Sequence, residues 1–160
     1  MADMDPVMVD LTLQIDEDYR SPSDQARLEM LVKRTLADQG VGGAVALSVV
    51  ITGDDLLHDL NRRYRGIDAP TDVLSFPGEA DDSRFVQPAD EPRYLGDILI
   101  SYPRVDAQAS DHGHAASAEL DLLVVHGCLH LLGYDDETDA GAEEMWTIQG
   151  RILGAAQSSE

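Results

Sequence analysis

Two histidines could hold one metal ion. His126 and His130 stand four residues apart in a stretch rich in leucine and valine. On a helix, side chains at positions i and i+4 share a face and lie about 6 Å apart along the axis, so both imidazoles can reach the same ion. Gly133 follows this stretch and predicts a left-handed helix end. The reversal would carry Asp135 and Asp136 back past the last turn, where Asp136 can supply a third ligand.

Two imidazoles and one carboxylate leave a fourth tetrahedral position open, which is typical of a catalytic zinc site. One zinc ion per chain is therefore predicted. The alternative is that both histidines are hydrogen-bonded core residues, the commoner fate of a buried histidine. Zincin peptidases have glutamate directly after the first histidine, whereas this chain has Gly127, so a zincin is disfavoured. A glycine inside a helix indicates that space is needed, for substrate or for a neighbouring backbone.

The other candidate ligands are weaker. His58, His112 and His114 lie on a surface helix or in a loop and are predicted not to bind the metal. Cys128 lies on the buried helix and is predicted to be a core residue. Asp97 lies inside a short apolar strand, where it could accept a hydrogen bond from a ligand histidine or serve as a strand edge or cap.

An arginine cluster lies upstream. Arg62, Arg63 and Arg65 fall within one four-residue window at the end of a predicted helix. In one interpretation they form a solvated helix end paired with Asp68 and Asp72. In the other, Arg65 lies on a loop and holds a phosphate with its planar guanidinium.

Length and charge limit the possible functions. The chain has 160 residues, which predicts one globular domain spanning residues 1–160. Its net charge of −20, taken alone, argues against RNA binding, and DNA is not an expected partner. The sequence shows neither a cationic segment before an N-terminal apolar stretch nor a long apolar run. We therefore expect a cytoplasmic protein with no membrane partner.

The elements that position these residues can be predicted from periodicity. Alternating apolar residues predict strands at residues 8–15 and 45–51, parallel and joined by a helix that ends at Gly40. Downstream, the pattern predicts a helix at 54–64, a strand from Val73, a strand at 95–101, a helix at 103–111 and the central helix at 119–132. A last helix begins at Asp139, with Trp146 as a packing residue. Residues 78–93 are expected to form a mobile loop that could act as a lid.

Two stretches together resemble the YbeY family of bacterial endoribonucleases, which act in rRNA maturation. Residues 126–136 follow the family pattern H-G-x-L-H-L-x-G-Y-D-H up to its last position, and residues 70–77 read P-T-D-V-L-S-F-P. Asn61, the segment 64–66 and the segment 95–98 stand at fitting intervals, so the resemblance covers residues 45–153. It implies an α+β fold, with a small mixed sheet of about four strands packed against about five helices and a buried central metal-binding helix.

The resemblance also implies a function. The family cleaves single-stranded RNA with a bound metal ion, in 16S rRNA 3′-end processing and ribosome quality control, so the expected partners are rRNA and the small ribosomal subunit or its assembly factors. The resemblance implies a zinc-like ion held by three histidines, and Asp136 stands at the third position. A carboxylate binds zinc at about 2.0 to 2.2 Å, so the predicted metal ligands are His126, His130 and Asp136. Arg65 is the predicted catalytic residue, which offsets charge developing on phosphorus.

Two other functions stay open at this point. In one, the protein is a ribosome-associated binding module whose metal site has decayed at Asp136. In the other, it is a metal hydrolase of a small phosphoester or an amide. The carboxylate ligand would make the metal a poorer Lewis acid than three neutral imidazoles would.

Overall fold

A mixed sheet organises the fold in this computed structural model, which describes residues 7–19, 24–78 and 92–158. The strands are β1 (Val7–Ile15), β2 (Gly43–Thr52), β3 (Val73–Pro77) and β4 (Arg93–Ser101). The sheet order is β1-β2-β4-β3, in which β1, β2 and β4 run parallel and β3 runs antiparallel to β4. Within the predicted lid, residues 79–91 lie outside the described residues.

Five helices accompany the sheet in the described part of the chain. They are α1 (Asp24–Asp38), α2 (Asp54–Arg65), α3 (Tyr102–His112), α4 (Ala116–Leu131) and α5 (Asp139–Ser158), and a short 3-10 turn (Glu17–Tyr19) follows β1. This arrangement confirms the predicted α+β fold with a four-stranded mixed sheet and five helices. None of the described helices is long and apolar enough to cross a membrane.

The alternating pattern of β2 corresponds to the predicted strand, with one face buried. Val45, Leu47, Val49 and Ile51 are each at most 1% exposed, and they point to one face where the helices pack. α1 connects β1 to β2, which makes the two strands parallel as predicted.

α4 lies at the centre of the helical layer and contacts α1, α3, α5, β3 and β4. Leu120, Val124 and Leu129 are at most 2% exposed, as its continuous apolar sequence predicts. The helix begins at Ala116, three residues before the predicted start. The periodicity missed this first turn because it consists of alanine and serine, which carry no apolar pattern.

Gly127 lets α4 approach the sheet closely. A Cβ at this position would lie 2.7 Å from Cγ2 of Ile98 on β4. The expectation that the glycine provides space for substrate or for a neighbouring backbone was therefore wrong. The space is occupied by a buried side chain of the sheet, and this contact fixes the height of α4 above β4.

Candidate functional site

Three potential ligand atoms converge at the C-terminal end of α4. Nε2 of His126 lies 3.0 Å from Nε2 of His130. Oδ2 of Asp136 lies 3.4 Å from the first of these nitrogens and 3.8 Å from the second. The structure thus brings together all three residues that the sequence predicted as metal ligands.

The turn after α4 places the carboxylate. Gly133 has a φ of +105°, a conformation that favours glycine. The backbone N–H of Gly133 donates to the carbonyl of His130 at 3.0 Å, and that of Tyr134 donates to the carbonyl of Leu129 at 3.0 Å. These bonds close the helix end as the sequence predicted, and Asp136 returns to the two imidazoles.

The Nδ1 atom of each imidazole has its own hydrogen-bond acceptor. Nδ1 of His126 lies 2.6 Å from Oε1 of Gln149 on α5, and Nδ1 of His130 lies 3.0 Å from the carbonyl oxygen of Tyr134. Because these oxygens only accept hydrogen bonds, each Nδ1 carries a proton, and in the neutral ring Nε2 keeps its lone pair. Two lone pairs and a carboxylate therefore face one point, an arrangement that a cation would stabilise.

Burial and the neighbouring His126 ring lower the pKa of His130, and this effect outweighs the opposing influence of Asp136. The neutral imidazole is consequently favoured, and this is the form that binds metal.

The geometry can be tested against zinc. Ligands at about 2.0 to 2.2 Å from a tetrahedral ion lie about 3.3 Å from one another. The three separations here, 3.0, 3.4 and 3.8 Å, bracket that value. Two imidazole nitrogens and one carboxylate oxygen are also a donor set that zinc accepts, so these residues fit the ion.

Sequence reasoning misplaced the supporting groups. Asp97 accepts a hydrogen bond from the hydroxyl of Tyr94, which also lies 3.1 Å from Oγ of Ser48, so the suggestion that Asp97 orients a histidine was wrong. Gln149 has that role for His126 and was not predicted. A signal was present, because Gln149 follows Met145 by four residues and so lies on the apolar face of α5, where it is 5% exposed.

Arg65 ends α2 and is held there by the loop that follows. Gly66 adopts a left-handed φ of +71°, and the N–H of Ile67 donates to the carbonyl of Asn61 at 3.3 Å. Nδ2 of Asn61, a buried residue, donates to the carbonyl of Ala69 at 2.9 Å. The loop is therefore fastened back onto α2, with Arg65 at its base.

The neighbouring arginines have acidic partners. Nη2 of Arg62 lies 2.9 Å and Nε of Arg63 lies 3.1 Å from the carboxylate of Asp59. Asp68 lies 2.7 Å from Nε2 of His58, and Asp72 accepts a hydrogen bond from Gln108 at 3.2 Å. The interpretation that pairs the arginine cluster with Asp68 and Asp72 was therefore wrong.

Arg65 differs from Arg62 and Arg63. Within residues 7–19, 24–78 and 92–158, its guanidinium makes no ion pair or side-chain hydrogen bond. It lines a cavity of about 380 Å³ together with His126, His130 and Asp136. The structure thus places the predicted phosphate-binding residue in the same cavity as the three predicted ligands.

A second cavity, of about 530 Å³, extends from the same centre toward the N-terminal half of α4. Both cavities are lined by Asp72, Val73, His126 and Asp136. The second also contains Trp146, which is 69% exposed, so the expectation that this residue packs in the core was wrong.

A second group of possible ligands borders this cavity. His112, His114 and Glu119 have donor atoms within 4.8 Å of one another and could also hold a metal. Oε1 of Glu119, a residue 1% exposed, lies 3.1 Å from Nδ1 of His112 and 2.7 Å from Nε2 of His114. The buried carboxylate of Glu119 thus has hydrogen-bonding partners without an ion. It stays a prediction that His112 and His114 do not bind metal.

The fold and the sequence both have relatives. The solution structure of TM1509 from Thermotoga maritima matches with a TM-score of 0.57 and 24% identity, over 95% of this chain and 93% of that one, which shows a shared fold. A protein named Endoribonuclease YbeY from Roseiflexus castenholzii is 49% identical over 153 residues, covering 95% of this chain and 96% of the relative. The protein of the same name from Bacillus licheniformis is 42% identical, covering 96% and 99%.

A family model described as Endoribonuclease YbeY matches residues 13–157. This match includes both histidines, Asp136 and Arg65. The chain therefore belongs to the YbeY endoribonuclease family.

Proposed function

We propose that this protein is a metal-dependent endoribonuclease of rRNA maturation, which cuts single-stranded RNA at the centre formed by His126, His130 and Asp136. One observation carries the proposal: a guanidinium without an acidic partner among the described residues shares a cavity with three converging ligand atoms. Such a pair of features is suited to a phosphodiester, whose oxygens bind both a cation and arginine. Membership of a family of endoribonucleases supports the same reaction.

The proposed roles follow from the geometry. The zinc ion we propose, or another divalent ion, would supply Lewis-acid polarisation of a phosphate oxygen and acidify a bound water. Arg65 binds the non-bridging phosphate oxygens and stabilises the charge that develops on them during attack. Gln149 and the Tyr134 carbonyl keep each Nδ1 protonated, so that His126 and His130 present their Nε2 atoms as ligands.

The acidity of the chain is consistent with recognition of RNA at one phosphate and not over a long surface. A protein with a net charge of −20 repels RNA at long range, and Arg65 can seat one phosphate but not a long duplex. We therefore propose that single-stranded rRNA is presented in the cytoplasm by the small ribosomal subunit or its assembly factors, which provide the larger docking surface.

The test replaces Arg65 and a matched neighbour. Arg65→Ala should lower the rate of single-stranded RNA cleavage by about 100-fold or more, because charge on the transition state is no longer offset. Arg62→Ala removes an arginine of the same helix end that is paired with Asp59, and it should cleave at nearly the wild-type rate. Initial rates on labelled RNA measure both effects, and elemental analysis should find equal zinc in all three proteins.

Three results would oppose the proposal. Retained cleavage by Arg65→Ala would remove this residue from the mechanism. Metal loss in Arg65→Ala would show that the arginine supports the ligands instead. Zinc-loaded wild-type protein that leaves RNA intact but hydrolyses a small phosphoester such as p-nitrophenyl phosphate would replace the endoribonuclease with a hydrolase of small substrates.

A further inference from the structure

The larger cavity presents an aromatic ring that the cleavage mechanism does not use. Trp146 is 69% exposed on α5, although its neighbour Met145 is 1% exposed in the core. Water contact over so much of an indole leaves a large apolar area unburied, and such areas often mark a binding surface.

The ring lines the same cavity as His126 and Asp136 of the candidate metal centre. Trp146 precedes Gln149 by three residues, so the two share a face of α5 and lie about 4.5 Å apart along the axis. Gln149 in turn accepts the hydrogen bond from His126. A phosphate held at the metal centre would therefore have its attached nucleoside within reach of the indole.

Within the part of the chain that the structure describes, this cavity has no counterpart of Arg65 that could hold a phosphate. Its lining includes the carboxyl groups of Asp72, Glu119 and Asp136, and no lysine or arginine among the described residues. An uncharged nucleobase needs no such cation, so it suits this lining better than a phosphate does.

The rest of the lining also suits a base. Apolar side chains form part of the wall, namely Leu122, Leu123, Ala142 and Met145. The amides of Gln108 and Gln149 stand among them, and each has a second polar atom, beside the one bonded to Asp72 or His126, that could meet the polar edge of a base.

We propose that Trp146 is a stacking platform for the nucleobase adjoining the scissile phosphate of single-stranded RNA. The inference deepens the proposed function and rests on it. Arg65 and the metal ligands receive the phosphodiester in one cavity, and the neighbouring base enters the other and stacks on the indole. Unstacking and unpairing a base of a duplex costs free energy, so this subsite selects single-stranded RNA.

Trp146 is the only tryptophan in the chain, so its fluorescence reports this subsite directly. Zinc-loaded protein in excess is mixed with oligoadenylate in a stopped-flow instrument. Stacking should quench the fluorescence before product forms. The same strand annealed to oligouridylate should give little quenching.

Substitutions separate stacking from structure. Trp146→Leu should raise KM for single-stranded RNA by about 5- to 150-fold, the range that the loss of one stacked base represents. Trp146→Phe should recover part of that loss, and kcat and bound zinc should stay at wild-type values in both. Met30→Ala, which removes a 51%-exposed apolar side chain on α1 away from both cavities, should leave KM unchanged.

The outcomes distinguish the two proposals. Single-stranded RNA that is cleaved without quenching, or a Trp146→Leu protein with wild-type KM, would overturn the stacking role and leave the endoribonuclease intact. Equal quenching by single and double strands would likewise overturn it. Quenching without any cleavage would support the subsite and overturn the endoribonuclease, and RNA that neither binds nor is cleaved would overturn both.

Discussion

At the scale of single residues, the function of the two histidines depends on the groups behind them. Each Nδ1 donates to an oxygen, and this fixes both the tautomer and the orientation of the ring. The carbonyl of Tyr134 cannot be removed by substitution, but the amide of Gln149 can.

Gln149→Met tests that support. Methionine has a similar volume and lacks the acceptor, so His126 should lose its fixed tautomer, and zinc affinity should fall by about 10- to 100-fold. Competition with a chromophoric chelator measures the affinity. The control is Gln108→Met, because the amide of Gln108 donates to Asp72, which is not one of the predicted ligands. Equal affinities in wild type and Gln149→Met would show that the glutamine does not support the metal site.

The convergence of the three predicted ligands could be foreseen from sequence because these residues are close together in the chain. His126 and His130 share a helix, and the turn at Gly133 determines where Asp136 returns, so spacing alone brings the three together. Gln149 and Asp97 could not be assigned in this way. Their partners depend on how α5 and β4 pack against the rest of the fold, and spacing along the chain carries little information about such packing.

At the scale of elements, the close approach of α4 to β4 determines the height of the histidines above the sheet. Gly127→Ala would force a Cβ to within 2.7 Å of Ile98. Overpacking of this kind costs about 1 to 3 kcal/mol, only partly offset by the better helix propensity of alanine.

We therefore expect a lower free energy of unfolding for Gly127→Ala, measured by urea denaturation. The control is Gly150→Ala on α5, where the added Cβ meets nothing within 4 Å. That substitution should stabilise the protein by about 0.5 to 1 kcal/mol. If Gly127→Ala proved as stable as Gly150→Ala, the contact with Ile98 would not limit the approach of α4.

A second link between elements makes the stability of the fold depend on pH. Oγ of Ser101, at the end of β4, donates to Asp54 at the start of α2 at 2.6 Å. This bond and the guanidinium of Arg104 lower the pKa of Asp54 from its ordinary value of 3.8. Because the folded-state pKa is the lower one, the link stabilises the fold above that ordinary value, and the stabilisation is lost as the pH falls through the folded-state pKa.

Ser101→Ala should raise the pKa of Asp54, which carbon-detected NMR of its carboxyl group measures directly. The difference in unfolding free energy between wild type and variant should be present at neutral pH and shrink in acid. Ser110→Ala changes an exposed serine of α3 and should alter neither quantity. A difference in stability that is constant with pH would assign the effect of Ser101 to packing alone.

The elements themselves were largely predictable. Strong periodicity identified β1, β2, α1 and α2, and apolar runs identified β4 and α4. The exposed position of Trp146 on α5 was not predictable, since an aromatic residue beside an apolar helix face usually packs into the core. In the arginine cluster, Arg62 and Arg63 pair with Asp59 within their own helix, a local i, i+3 and i, i+4 pattern that sequence reasoning could have favoured over Asp68.

At the scale of the whole molecule, the single cysteine can report global unfolding. Cys128 is 2% exposed on the inner side of α4, and burial raises its pKa to about 12. Its thiolate is therefore scarce and inaccessible while α4 stays packed.

We expect 5,5′-dithiobis(2-nitrobenzoic acid) to label Cys128 only when the protein unfolds and exposes the thiol. The rate of labelling should rise with urea in parallel with loss of the circular dichroism signal. Wild-type protein in 8 M guanidinium chloride provides the control, in which labelling should be immediate. Rapid labelling without denaturant would show that the helix layer opens locally around α4. It stays a prediction that residues 1–160 form one domain. A single unfolding transition, coincident in labelling and in circular dichroism, would support it.

The two cavities leave the centre in different directions along α4. One reaches toward the first half of α4, at Glu119, and the other toward its end, at His130. A strand can then be laid sideways across the centre, continuing past it in both directions, and no free terminus has to be threaded inward. Closed rings of RNA would meet this requirement as well as linear molecules, and the position of a cut would be chosen by which internal stretch is unpaired, not by counting from an end.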